Sequence, residues 1–291
     1  MHPESGSVLP AGYSVAVVGL GLMGGSLAAA LRRDQPQVRV LGVARREEAV
    51  AEALRSDLIH DGGLTLSAIL PAADLTVLAT PVRTILGQLP EAASLLPPHG
   101  VLTDLGSTKQ AITTAMERGP RPERCLAGHP MCGKERHGLC AADADLFRGA
   151  SWILCPGRTT SPEAVRAVGS LARSVGARAL IMDAAEHDAI VARTSHLPYL
   201  VSAALSRAVA KGVADGDLPA LSAGGYRDTT RLAAGDVPMM LDILMTNREP
   251  ILAAIREMQG EFGRLEAALA QSDEHALAAY LETARRSRRV G

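Results

Sequence analysis

Aromatic side chains are scarce: two Phe, four Tyr and a single tryptophan, Trp152, in 291 residues. Too few ring faces exist to stack bases along a nucleic-acid strand. An excess of either charge is also missing, since 30 Lys and Arg meet 31 Asp and Glu. Without a net field, nothing draws the chain non-specifically to nucleic acid or to anionic lipid. No apolar run approaches the roughly 18 residues needed to span a bilayer, because Gly, Pro or a charge breaks each one. The opening MHPESGSVLPAGY lacks a basic segment followed by an apolar stretch and a small-residue cleavage site, so a soluble, cytoplasmic protein is expected. Only four cysteines occur, Cys125, Cys132, Cys140 and Cys155, and in a reducing compartment they are expected as free thiols. Three of them lie near His129 and His137, yet no C-x₂₋₄-C pair is present and no metal is expected.

What remains is the composition of an ordinary globular chain, long enough for two domains. The run SVAVV at 14–18 is β-branched and apolar, ends in glycines, and leads into an Ala/Leu-rich helical segment from Ser26 to Arg33. The alternation continues with VRVLGV at 38–43, a charged helix near 46–56, DLTVLAT at 74–80, a helix near 82–96 and GVLTDL at 100–105. Strands buried on both faces have this uniform apolar character. Repeated β-α-β units predict a mostly parallel, Rossmann-type α/β sheet with ligands at the carboxyl ends of its strands. SWILC at 151–155 and ARALIM at 177–182 read as further strands of that sheet, bracketing a helix at 162–175. From Glu186 to Arg288 the pattern is Ala/Leu-rich helix, with polar loops at 212–219 and 222–236. The expected division is a dinucleotide-binding domain over 1–184 and an all-helical domain over 185–291, whose apolar faces suit burial against a second copy in a homodimer.

The turn after the first strand, GLGLMGG, sets Gly19, Gly21 and Gly24 in the G-x-G-x-x-G spacing, with Leu22 and Met23 between them. Placed between a strand and a helix, such glycines let backbone N–H groups and the helix N-terminus approach a pyrophosphate. NAD-selective sites carry an acidic residue about 20 positions further on to hold the ribose diol. Here the second strand ends in Ala44 followed by Arg45 and Arg46, guanidiniums suited to a 2′-phosphate, so NADP is favoured over NAD. The alternative is that both arginines start a solvated helix and pair with Glu47 and Glu48. Thr80 and Pro81 close the third strand on the cofactor side, or serve as turn and helix cap.

Three more motifs follow: TDLGSTK at 103–109, GHPMCGKERHG at 128–138, and EHDAIVARTSHLPY at 186–199 with GGYRDTTRLA at 224–233. With GLGLMGGS they make the chain resemble the prephenate/arogenate dehydrogenase family of tyrosine biosynthesis over nearly its whole length. The resemblance implies a Rossmann domain followed by a dimerising helical domain, and NAD(P)-dependent oxidative decarboxylation of a small cyclohexadienol substrate. His129 matches the catalytic histidine, and a neutral imidazole is a competent base near pH 7. Ser107 is expected to orient His129 and touch the substrate hydroxyl or nicotinamide, unless it only caps the helix after it. Arg231 matches the substrate arginine, with Asp228 one turn before it to hold the guanidinium. Ser195 and His196 are expected on a helix facing the site, where His196 is either a substrate contact or a core histidine, with Glu135 in support.

Two positions depart from the family. Tyr199 stands where a second histidine is frequent, and a phenol cannot become cationic as that histidine can. Lys134 stands where a small hydroxyl residue is frequent and brings a positive charge near the site. The rival readings are a β-hydroxyacid-type dehydrogenase, whose catalytic lysine has no counterpart between Glu186 and Arg207, and an NADP-sensing scaffold without turnover.

Overall fold

The computed structural model describes residues 9–134, 136–212 and 223–288. Eight strands form one sheet in the order β3-β2-β1-β4-β5-β6-β7-β8: β1 (Ser14–Val18), β2 (Arg39–Val43), β3 (Asp61–Gly63), β4 (Leu75–Leu78), β5 (Val101–Asp104), β6 (Cys125–Pro130), β7 (Ser151–Cys155) and β8 (Arg178–Ile181). All neighbouring pairs are parallel except β6 and β7. On one face pack α1 (Leu22–Asp34), α2 (Glu47–Arg55) and α6 (Pro162–Ser174); on the other lie the short α3 (Leu66–Ile69), α4 (Val82–Ser94) and α5 (Gln110–Arg118). Leu27, Leu31 and Val168 fill the first layer, and Ile85, Leu89 and Ile112 the second, all buried. The uniform apolar strands are therefore explained by helices on both sides. Because the chain leaves β1 toward β2 on one side and returns through β4 on the other, the strand order reverses between β1 and β4. A crevice opens there at the carboxyl ends.

Beyond β8 every described element is helical: α7 (Ala184–Val191), a π-turn (Ala192–His196), α8 (Leu197–Gly212), α9 (Gly224–Thr230), a 3₁₀ turn (Arg231–Ala234), α10 (Val237–Thr246), α11 (Arg248–Ala270) and α12 (Glu274–Arg288). No described helix is long and apolar enough to cross a membrane.

One local expectation needs correction, and two strands, β3 and β6, are not read from the sequence. The stretch 222–236, expected as a loop, holds α9 and a 3₁₀ turn from Gly224 onward; the hydroxyls of Thr229 and Thr230 are satisfied by the carbonyls of Gly225 and Tyr226 one turn back, so these polar residues sit in the helix without an unpaired group. Most of the other expected loop, 213–219, lies outside the described residues. β3, sequence DGG, has no strand propensity, but its glycines lie close against β2 and Val50. β6 contains Gly128 and Pro130, which read as strand breakers. Gly128 is needed because a Cβ there would stand 2.9 Å from the Trp152 indole nitrogen, and Pro130 falls on the strand's last residue.

Candidate active site

The glycine turn between β1 and α1 divides its work among three positions. Gly19 has φ +100°, and a Cβ on it would meet Thr80 at 2.8 Å. A Cβ on Gly24 would lie 2.0 Å from the Gly19 carbonyl, so only glycine lets α1 pack against the turn. Gly21, by contrast, faces open space and sits at the N-cap of α1 with no side chain capping the helix. A pyrophosphate fits this cradle, with uncapped amides and the positive end of α1 toward it.

Arg45 and Arg46 are exposed at the carboxyl end of β2, with Arg46 at the N-cap of α2. Among the described residues neither forms an ion pair with Glu47 or Glu48, which leaves both guanidiniums available. The Thr80 hydroxyl bonds the Gln88 side chain at 2.8 Å instead of capping α4.

A cleft of about 440 Å³ runs from Gly21, Leu22 and Met23 past Thr80 and Pro81 to Ser107 and His129. Its far wall is Asp236 at the N-cap of α10 with Met239 and Ile243 from that helix, and its rim is the segment with Cys132, Lys134, Arg136 and His137. A larger groove of about 690 Å³ lies between α11 and α12, but no residue lining it belongs to the sheet domain.

His129 projects half-buried from β6, placed there by a buried ion pair beneath the strand. The Lys109 ammonium pairs with Asp104 and donates to the Gly128 carbonyl at 2.7 Å. Asp104 in turn accepts from the Gly128 and Gly106 amides at 3.0 and 2.8 Å. Both charged side chains are fully buried, so the turn after β5, which carries Ser107, is pinned to the strand that carries His129. Burial pushes the Asp104 carboxyl above its ordinary range, while Lys109 and the two amides oppose the shift.

Behind His129 stands His187, with Nδ1 of the first and Nε2 of the second 2.8 Å apart and the rings nearly perpendicular. His187 Nδ1 is 2.8 Å from Asp188. Burial, then the nearby Lys109, His187 and His196, holds the His129 pKa well below 6.5, and the imidazole is neutral at pH 7. Ser107 does not cap α5. That helix begins later, and Asp188 accepts from the Lys109 and Gln110 amides at its start.

Of the remaining sequence-predicted residues, only Lys134 is on this cleft, at its rim; the other described ones lie outside its lining. His196 is buried, its Nδ1 3.1 Å from the Asn247 amide nitrogen. Ser195 is exposed on the π-turn, and the ring of Tyr199 packs near Gly235. Asp228 and Arg231 are exposed on α9 and the turn after it, shortly before Asp236. Lys134 pairs with Asp143 at 2.6 Å, and Glu135 lies outside the described residues. Sequence reasoning missed Asp104, His187, Asp188 and the α10 wall; the adjacent His-Asp pair inside an apolar helix was the available signal.

The family signature of the prephenate dehydrogenase nucleotide-binding domain matches residues 27–181, and that of its dimerization domain matches 183–283. This chain belongs to the prephenate dehydrogenase family. A prephenate dehydrogenase of Bacillus subtilis is 32% identical over 277 residues, covering 94% of this chain and 74% of that protein. Among solved structures, the Aquifex aeolicus prephenate dehydrogenase in complex with hydroxyphenyl propionate and NAD+ superposes with a TM-score of 0.90 at 28% identity, over 95% of this chain and 97% of that one. The Synechocystis arogenate dehydrogenase gives 0.82 at 31% identity, over 94% and 98%. Membership makes the chain an NAD(P)-dependent oxidoreductase with a Rossmann-type domain ahead of a helical dimerization domain, and it sets aside the β-hydroxyacid and scaffold readings.

Proposed function

We propose that the protein oxidatively decarboxylates prephenate or arogenate, with His129 as the proton-handling base. The observation that carries this reading is a neutral, half-buried imidazole on the same cleft as the glycine turn. Gly19, Gly21, Leu22, Met23 and Gly24 would hold the pyrophosphate, Thr80 and Pro81 the adjoining ribose, and Arg45 and Arg46 a 2′-phosphate, which makes NADP the preferred cofactor. When bound, the nicotinamide supplies the hydride acceptor. His129 removes the ring hydroxyl's proton as hydride leaves the same carbon. The ring then loses its carboxylate as carbon dioxide, the released electron pair makes the ring aromatic, and the phenolate oxygen recovers the proton from His129. The base ends as it began, and no net proton is released.

Ser107, beside His129 on the cleft, would orient the substrate hydroxyl. Arg231, backed by Asp228, would hold a substrate carboxylate, a charge-assisted contact worth roughly 1.5–3 kcal/mol. Because both lie outside the cleft lining, this role requires the α9 region to approach the substrate. His196, Ser195, Tyr199, Lys134 and Glu135 complete the proposed substrate surroundings. The domain division is taken at 184/185. A homodimer through the helical domain is supported by its family signature and by exposed Phe262, Leu269 and Leu281 on α11 and α12. A cytoplasmic location is consistent with four free cysteines.

The test is a four-way comparison of prephenate and arogenate with NAD+ and NADP+, following reduced-nicotinamide absorbance and carbon dioxide in parallel. Equal amounts of both products support the proposal. Silence in all four mixtures ends it.

A further inference from the structure

Two residues behind His129 settle which of its nitrogens faces the cleft. The carboxylate of Asp188 accepts from the Lys109 and Gln110 amides at 2.7 and 2.9 Å, and His187 Nδ1 lies 2.8 Å from it. His187 and Asp188 are each 1% exposed, so no water competes for these contacts. A carboxylate has no hydrogen to give. The hydrogen between Asp188 and His187 therefore belongs to His187 Nδ1, which leaves the lone pair of a neutral His187 on Nε2. That lone pair faces His129 Nδ1 at 2.8 Å and can only accept. His129 must then carry its hydrogen on Nδ1 and its lone pair on Nε2.

We propose that Asp188 and His187 are positioning residues that lock His129 in the Nδ1–H tautomer and so keep Nε2 bare toward the substrate hydroxyl. This inference rests on the reading of His129 as the base. An imidazole without a fixed acceptor behind Nδ1 populates both tautomers, and the one bearing Nε2–H cannot take a proton from the substrate. The same line serves the second half of the cycle. While His129 holds the substrate's proton it donates through Nδ1 to His187, whose own hydrogen points to Asp188. The transient cation is stabilised without the proton leaving the site, as a reaction that returns its proton requires. Asp188 also ties the arrangement to α5, since one carboxylate both orients His187 and caps the helix that follows Ser107.

The direct test is ¹⁵N NMR of histidine-labelled wild-type protein, with the His129 signals assigned by their disappearance in His129→Asn. The expected pattern at neutral pH is a hydrogen-bearing Nδ1 and a bare Nε2. A His129 ring with its hydrogen on Nε2 overturns the proposal. In a second measurement, His187→Gln keeps an acceptor behind His129 and His187→Leu removes it. The Leu variant should lose roughly 10²-fold in kcat, within the range of general-base contributions, with KM and cofactor Kd unchanged and with a partial recovery in the Gln variant. Wild-type kcat in the Leu variant, or equal loss in both with the tautomer intact, rejects the positioning role. The underlying base reading fails separately, if His129→Asn turns over normally.

Discussion

Acidification should destabilise the protein through His196. This imidazole, on the last residue of the π-turn, is 2% exposed, and its Nδ1 accepts from the Asn247 side-chain amide, which also donates to the Asp188 carbonyl. Burial holds its pKa at about 4, against 6.5 for the free group, with Asp188 pulling upward and His187 downward. The unfolded chain therefore binds a proton that the folded chain refuses. Stability from this source is complete above pH 6.5 and is lost as pH falls through the interval down to about 4. At about 1.4 kcal/mol per pH unit, the loss is about 3 kcal/mol, a large part of the ~5–15 kcal/mol typical of a folded protein. Denaturant unfolding at fixed pH values from 7.5 to 4 measures it, in the wild type and in His196→Gln. Glutamine keeps a polar partner for Asn247 but does not titrate. Carboxylates and the other histidines change alike in both proteins and cancel in the difference. The stability of the wild type relative to the variant should fall by about 3 kcal/mol between pH 7 and pH 4. Parallel curves over that range would refute the argument from burial.

Two further outcomes follow from the site. Lys109→Met strands the Asp104 carboxyl with no cation in a fully buried position, which should cost about 3–5 kcal/mol and lower Tm; adding Asp104→Asn should recover part of the loss, and an unchanged Tm in the single variant would contradict the pinning role of the pair. Ala44→Asp places a carboxylate at the end of β2, where it can accept from a ribose diol and repel a 2′-phosphate. The ratio of kcat/KM for NADP+ to that for NAD+ should fall, and an unaltered ratio would mean that the end of β2 does not set the cofactor preference.

The sheet was legible because its strands are uniformly apolar and the glycine turn names its own context. Gly19, Gly21 and Gly24 each do what their spacing implies, one for backbone conformation, one for open space and one for helix packing. Legibility failed where tertiary contacts override local propensity. β6 holds a glycine and a proline, and it is a strand only because β5 and β7 pair with it on either side. The site was readable residue by residue through its motifs, which brought Ser107 and His129 to one cleft with the cofactor turn. What the motifs could not convey is support from behind. Lys109 and Asp104 are five positions apart on a turn, a spacing that announces no pairing, and Asp188 reaches α5 from 79 residues away in sequence. The first contact arises from the close packing of β5, its turn and β6, the second from packing a later helix on α5, and periodicity carries no trace of either.

Substitution of the base gives the most direct test. His129→Asn preserves a hydrogen-bonding side chain of smaller size on β6 and removes the group that exchanges a proton. With saturating substrate and cofactor, turnover should drop roughly 10²–10⁴-fold while the cofactor Kd stays at its wild-type value. A variant that turns over at the wild-type rate would contradict the account.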